Sequence, residues 1–230
     1  MQEYTQFFVD GQWQKSTGSE IIDVINPYSE QIIASVTSCS SEDISRAVEA
    51  SHQAFLTWSK SSVEKRVSLL RKIAQVLKEQ QEELANTIAS ELGMPLKMTQ
   101  RVQVGAPIAT FELTAQELEK FLWEEHIGNS IITREPTGVV VAITPWNYPL
   151  HQIAAKVAPA IASGCTVILK PSEVTPLNAI LLAKVFELAN APAGIFNLVF
   201  GRGPLVGEYL VTAPKVDLIS FTGSTRAGKS

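Results

Sequence analysis

Gly138-Val139-Val140-Val141-Ala142-Ile143-Thr144-Pro145 is the stretch on which the fold turns. Residues 139–143 are apolar and mostly β-branched, with no polar alternation. A run of that kind suits a strand covered on both faces, as in a parallel sheet. Moving toward the C-terminus, the rhythm repeats. Residues 152–163 read as a helix and 166–169 as a second buried strand. Pro176 opens a helix that runs to about residue 190, since proline is pre-set for a first helical turn. A third strand is expected at 195–200, a short helix at 205–211 and a fourth strand at 216–221. Strands alternating with helices of this length imply βαβ units and a parallel sheet with flanking helices. Such sheets bind ligands beyond the carboxyl ends of their strands. The loops after Ile143, Leu169, Phe200 and Phe221 are therefore the ones to inspect.

Moving toward the N-terminus, the pattern changes. Phe7-Phe8-Val9 and Gln12-Trp13 flank Asp10-Gly11, a hairpin turn signal. A second hairpin is expected between residues 21–25 and 31–36, turning at Asn26-Pro27-Tyr28-Ser29-Glu30. Ser40 with Asp43 marks a helix start. Ile44, Ala47, Val48, Phe55 and Trp58 fall on one face of that helix. Ser61-Ser62-Val63-Glu64 reads as a capping box opening one long helix, with Val67, Leu70, Ala74 and Leu77 inward. Leu84, Ile88 and Leu92 continue it at i, i+4 spacing to a stop at Gly93. A further helix is expected from about Lys97 to Trp123, then a strand at 130–134. Glu91-Leu92-Gly93-Met94 reads as a helix C-cap.

Composition limits the function classes. The chain has 230 residues, 45% of them hydrophobic, and a net charge of −4. That length suits one domain with a small appendage. No block of like charge occurs, so nucleic acid is not the expected partner. Two cysteines, Cys39 and Cys165, argue against a disulfide framework and for a reducing compartment. Met1-Gln2-Glu3-Tyr4 has neither the basic nor the apolar region of a signal peptide. No apolar run reaches the roughly 18 residues of a membrane span. The expectation is a cytoplasmic protein with no membrane contact. His52, His126 and His151 lack metal-ligand spacing, so no metal is expected. No G-x-S-x-G elbow is present.

Each of the four loops carries a candidate chemistry. Thr144-Pro145-Trp146-Asn147-Tyr148-Pro149 sets an amide between two prolines at a strand end. Asn147 can donate to a developing oxyanion, or it can bond its own loop backbone. Lys170-Pro171-Ser172-Glu173 places an ammonium and a carboxylate three apart. They can bond the hydroxyls of a ribose, or form a solvated surface pair. Gly201-Arg202-Gly203-Pro204-Leu205-Val206-Gly207 resembles a dinucleotide fingerprint but has Val206 where the third glycine belongs. Gly223-Ser224-Thr225-Arg226-Ala227-Gly228-Lys229-Ser230 spells G-x-x-x-x-G-K-S, a phosphate-cradling P-loop. Its position after a fourth strand counts against that reading, as does the lack of a following helix and acidic strand.

Taken together the loops resemble one family. Pro145-Trp146-Asn147-Tyr148-Pro149, Lys170-Pro171-Ser172-Glu173 and Phe221-Thr222-Gly223-Ser224 match the PWN-x-P, KP-[SA]-E and FTGS motifs of NAD(P)-dependent aldehyde dehydrogenases, in order and spacing. The resemblance extends to Val9-Asp10-Gly11-Gln12-Trp13, Asn26-Pro27 and Ser163-Gly164-Cys165-Thr166. It implies a Rossmann-like parallel sheet preceded by a helical region with β-hairpins, the aldehyde dehydrogenase fold in incomplete form. Residues 1–122 and 139–230 would form the NAD(P)-binding domain, and 123–138 an oligomerisation hairpin. The catalytic domain would be absent.

The same resemblance implies roles. Asn147 is similar to the family's oxyanion-hole amide, acting on the adduct of thiolate and aldehyde. Lys170 and Glu173, with Ser172 between them, resemble the adenosine-ribose pair. Ser224 resembles the pyrophosphate contact, with Gly223 and Phe221 beside it. Gly203 and Gly207 resemble the segment lining the adenine pocket. Thr144, Pro145 and Trp146 resemble the turn beside the nicotinamide. Glu173 would repel a 2′-phosphate, which favours NAD as cofactor and leaves NADP as the alternative. The nucleophilic cysteine and the general-base glutamate of the family lie downstream of FTGS, so the isolated chain is expected to be inactive. Cys165 precedes a buried strand and has no cationic neighbour in sequence, so it reads as a small core residue. The substrate of the complete enzyme would be a small aldehyde and its assembly a homo-oligomer. Exposed apolar surface and association of the chain are expected. Two other readings are a stand-alone nucleotide-binding module and a P-loop NTPase centred on Lys229.

Overall fold

The computed structural model describes residues 2–229. At its centre are four parallel strands: β8 (Val139–Ile143), β9 (Thr166–Lys170), β10 (Phe196–Leu198) and β11 (Leu218–Phe221). They lie in the order β11-β8-β9-β10. Both β8 and β9 are almost wholly buried, as their unbroken apolar runs predict. Helix α6 (Pro149–Ala162) joins β8 to β9, and α7 (Leu177–Leu188) joins β9 to β10. Right-handed crossovers in one direction place both helices on one face. The connection from β10 to β11 runs the other way. It carries a π-helical turn (Gly203–Gly207) and the short α8 (Glu208–Val211), where a single short helix was expected.

The N-terminal hairpin extends this sheet. Strands β2 (Gln6–Val9) and β3 (Gln12–Lys15) pair antiparallel, and β2 joins β10 antiparallel. Asp10 and Gly11 both take positive φ, 52° and 71°, which matches the right-handed twist of the flanking strands. The second hairpin, β4 (Ile21–Ile25) with β5 (Ile32–Thr37), forms a separate sheet. There β5 also pairs in parallel with β1 (Gln2–Tyr4), a strand the sequence reading did not anticipate.

Helix α1 (Ser41–Trp58) begins with the expected box: Ser40 accepts from the Asp43 N–H, and the Asp43 carboxylate accepts from the Ser40 N–H. Burial raises the Asp43 pKa, but hydrogen bonds from Ser16, Ser40, Arg46 and Thr17 outweigh it and hold the carboxyl at about 2. The expected long helix is two helices, α2 (Val63–Glu79) and α3 (Gln81–Leu92), broken at Gln80. The cap of α2 is Ser62, accepting from the Lys65 N–H, one residue later than the box reading places it. Gly93, with φ 80°, closes α3 as expected.

The next helical stretch is also interrupted. It comprises α4 (Leu96–Met98), a π-helix (Thr99–Val104) and α5 (Gly105–Lys120). The widened turn closes with the Gly105 N–H donating to the Gln100 carbonyl, five residues back. Pro107 follows in the first turn of α5, with no N–H to donate. Strands β6 (Glu124–Ile127) and β7 (Ser130–Thr133) follow as an isolated antiparallel ribbon. Ile127, Ile131 and Ile132 are exposed on it. Among the described residues no helix is long and apolar enough to cross a membrane.

Candidate cofactor and active site

The parallel order β10-β9-β8-β11 contains one reversal, between β8 and β11. At such a switch point the loops leaving the two strands part and leave a crevice beyond their carboxyl ends. Here the two loops are 144–149 after β8 and 222–224 after β11. Lys156, on α6, spans between them: its Nζ donates to Thr222 Oγ1 at 2.6 Å. Partial burial lowers its pKa. Lys156 was not singled out in the sequence, because its partner lies 66 positions away.

The loop after β8 is held by its backbone. Thr144 N–H donates to the Lys170 carbonyl at 3.2 Å, tying the first loop to the second. The Trp146 carbonyl accepts from Thr175 Oγ1 at 3.3 Å, and the Asn147 carbonyl accepts from Gln103 Nε2 at 3.2 Å. Pro149 then starts α6 at its first turn. The side chains point elsewhere: Trp146, Asn147 and Tyr148 are exposed. The Asn147 side-chain amide makes no hydrogen bond among the described residues, so the self-bonded loop asparagine is not what the structure shows. Thr144 Oγ1 is buried and also unpartnered there.

The second loop departs from a solvated pair in the same way. Lys170 is 2% exposed. Its Nζ donates to the Pro171 carbonyl at 3.0 Å and lies 3.5 Å from Glu173 Oε2. Burial lowers the lysine pKa, and the Glu173 carboxylate pulls it back up. Ser172 Oγ accepts from the Val174 N–H and tightens the turn. A donor ammonium beside an acceptor carboxylate can hydrogen-bond a pair of hydroxyls.

The start of α7 has an unexpected anchor. Glu91, 1% exposed, accepts from Leu177 N–H at 2.7 Å, Asn178 N–H at 3.0 Å and Asn178 Nδ2 at 2.7 Å. It therefore caps α7 from α3, beyond the C-cap role that Gly93 fills. Burial pushes its pKa up to about 7, against the pull of these three donors. Asn178 Nδ2 also donates to the Thr175 carbonyl at 2.8 Å. Thus Glu91, Asn178 and Thr175 link α3, the second loop and the first.

The last two loops are more open. A Cβ added at Gly203 or Gly207 would meet nothing within 4 Å, so space for a ligand adjoins both. The glycine that the backbone requires in this segment is Gly201, at φ 151°, where a side chain would strike Val206. After β11, Phe221 is 38% exposed, and a side chain at Gly223 would strike its ring. Ser224 Oγ accepts from the Ala227 N–H. Gly228 N–H donates to the Ser224 carbonyl at 3.0 Å and Lys229 N–H to the Arg226 carbonyl at 3.2 Å. This is a self-closed turn, with three of its N–H groups used internally. Ser230, the last residue of the P-loop pattern, lies outside the described residues.

Cys165 is 3% exposed, against Ser163 Oγ. Cys39 is buried, and burial pushes its thiol up to about 12. Two concavities lie away from the strand ends. One, of about 450 Å³, is lined by Val63, Arg71 and Glu119. The other, of about 250 Å³, is lined by Phe8, Phe186 and Pro192. Neither includes a loop residue named above.

Comparison with known proteins agrees with the loops. The model of the aldehyde dehydrogenase family matches residues 13–230. The chain is 44% identical over 229 residues to a 3-succinoylsemialdehyde-pyridine dehydrogenase from a Pseudomonas species, covering 99% of this chain and 48% of that protein. It is 41% identical to a putative aldehyde dehydrogenase of Staphylococcus haemolyticus, with coverage of 99% and 48%. The chain spans about half the length of the curated relatives it matches. Its fold superposes on aldehyde dehydrogenase C of Pseudomonas syringae, solved with NAD+ and octanal. The TM-score is 0.96 and the identity 43%, over 98% of this chain and 46% of that one. An aldehyde dehydrogenase of Bartonella henselae gives a TM-score of 0.97 at 36% identity, over 100% and 49%. Sequence, strand-end loops and fold agree, and the chain belongs to the aldehyde dehydrogenase family.

Proposed function

We propose that this chain is the cofactor-binding part of an enzyme that oxidises aldehydes to carboxylic acids with NAD+. The observation that carries the reading is the buried Lys170, paired with Glu173, next to the loop that presents Asn147. A surface pair would gain little from water exclusion. A buried ammonium with one internal hydrogen bond is poised for a partner, and a ribose diol supplies it. Glu173 would repel a 2′-phosphate and so favours NAD+ over NADP+. Gly203 and Gly207 leave room for the adenine, Phe221, Gly223 and Ser224 for the pyrophosphate, and Thr144, Pro145 and Trp146 for the nicotinamide half. When bound, the nicotinamide supplies a hydride acceptor. Solved relatives with NAD+ support this assignment for the family.

Asn147 contributes the free amide. Held just before the N-terminus of α6, it sits where the helix dipole favours negative charge, and its N–H groups suit a developing oxyanion. A nucleophile and a general base are expected from sequence beyond Phe221-Thr222-Gly223-Ser224. Residues 1–122 with 139–230 would form the nucleotide domain. The exposed β6–β7 ribbon would serve subunit association. A reducing, cytoplasmic setting suits two unpaired cysteines.

Titration of the chain with NAD+ tests this reading. Saturable binding is expected, with NMR shifts at 144–146, 170–173 and 221–224, and weaker binding of NADP+. No NADH is expected from NAD+ and acetaldehyde. Absence of NAD+ binding at millimolar concentration overturns the cofactor assignment, and NADH formation overturns the absence of a nucleophile.

A further inference from the structure

The free amide of Asn147 raises a physical problem. Nothing among the described residues hydrogen-bonds that side chain, yet an oxyanion donor acts only if its direction is fixed beforehand. The direction must come from the backbone. Two buried side chains grip consecutive carbonyls of this loop: Thr175, 1% exposed, holds that of Trp146, and Gln103, fully buried, holds that of Asn147.

Gln103 is the less expected of the two. It lies on the π-helix between α4 and α5, 44 positions before its partner. Widened turns of this type are rare and concentrate at functional sites. Gln103 Oε1 is buried with no partner among the described residues. A buried amide that leaves its acceptor unmet is costly, which argues against a residue present for packing alone. A leucine would fill similar volume without that cost. The donor half is what distinguishes glutamine here.

We infer that Gln103 is a positioning residue for Asn147. Its Nε2–H fixes the peptide that follows Asn147, and with Thr175 it clamps the loop that aims the free amide. The inference rests on the reading of Asn147 as an oxyanion donor.

The test is backbone and side-chain NMR relaxation on the full chain, without nucleotide. In the native chain the 146–148 segment is expected to show order parameters near ~0.85, the rigid range. Gln103→Leu keeps volume and removes the donor. It is expected to drop the segment below ~0.6 and to broaden the Asn147 side-chain amide signal, with the α6 and α7 resonances unmoved. Gln103→Glu keeps the shape and provides a donor only when protonated. Its loop order should fall as pH rises through the carboxyl pKa, while the native chain shows no such dependence. Confinement of that loss to 146–148, with α5 and α6 resonances unmoved, separates the clamp from the general cost of ionising a buried carboxyl. If Gln103→Leu fails to fold, the Gln103→Glu profile decides. Order at 146–148 that is unchanged in both variants overturns the clamp. The measurement needs no NAD+, so a chain that binds no NAD+ would defeat the cofactor reading and leave this test intact.

Discussion

Strands β8 and β11 are hydrogen-bonded neighbours, yet they live in different surroundings. Val141 and Ile219 are cross-strand partners. Val141 is 0% exposed and Ile219 is 46% exposed. The loops follow their strands. Those after β8 and β9 are tied by Gln103, Thr175, Asn178 and Glu91, whereas the segment after β11 is an exposed turn bonded mainly to itself. A parallel strand is ordinarily covered on both faces, and β11 is not. The proposed ribose and oxyanion end of the site is thus built within this chain. The proposed pyrophosphate end rests on a strand that the chain leaves open. It follows that the two ends should respond very differently to the same insult.

The largest contrast comes from one charge placed on each partner. Val141→Asp buries an unpaired carboxylate and should cost more than about 4 kcal/mol, enough to unfold the chain in urea melts. Ile219→Asp faces solvent and should cost no more than about 1 kcal/mol. Similar losses for the two would show that β11 is covered in solution, for instance by a second copy of the chain. The apolar surface of Ile219 and Phe221 makes that the natural alternative.

The second test removes the anchor of the built side. Glu91→Ala leaves three donors at the start of α7 without their carboxylate, at about 3 kcal/mol. The pH dependence has a defined sign. The folded-state pKa of Glu91, raised by burial to about 7, exceeds its ordinary 4.5. The folded state therefore holds the proton more tightly. This contribution is fully present below pH 4.5 and is lost as pH rises through 7. Urea midpoints of the native chain should fall over that window, and those of Glu91→Gln should be flatter. A native curve that rises across it would refute the assignment.

A smaller effect is expected for the cofactor pair. Lys170→Met should weaken NAD+ binding about tenfold, which corresponds to about 1.4 kcal/mol. Glu173→Gln should weaken it less and narrow the preference over NADP+. Isothermal titration measures both. Equal affinities for native and Lys170→Met chains would remove the ribose role from the buried pair.

The contrast between the two ends also explains what could be read from sequence. Strands β8 and β9 were legible because burial on both faces writes itself as continuous apolar sequence. The prolines around Asn147 marked a rigid loop for the same local reason. By contrast β1 and β6, Gln2-Glu3-Tyr4 and Glu124-Glu125-His126-Ile127, are polar segments. They become strands only by pairing with β5 and β7. The break at Gln80 was hidden because the apolar i, i+4 spacing runs on across it. The roles of Gln103, Lys156 and Glu91 were missed because each acts through partners 44 to 87 positions away. Spacing carries no trace of such a pairing.

The smallest expected effect concerns the most conspicuous motif. Gly223–Lys229 with Ser230 spells a phosphate cradle, and a working cradle keeps its backbone N–H groups free for the ligand. Here the Gly228 and Lys229 N–H groups bond the turn's own carbonyls, and Lys229 is exposed. Lys229→Ala should therefore leave NAD+ affinity unchanged within about twofold, or 0.4 kcal/mol. Magnesium-ATP should bind neither chain. Magnesium-ATP binding that is abolished in Lys229→Ala would reinstate the cradle. It would also invert the comparison, since the open end of the molecule would then hold the site and the tightly bonded end would only support it.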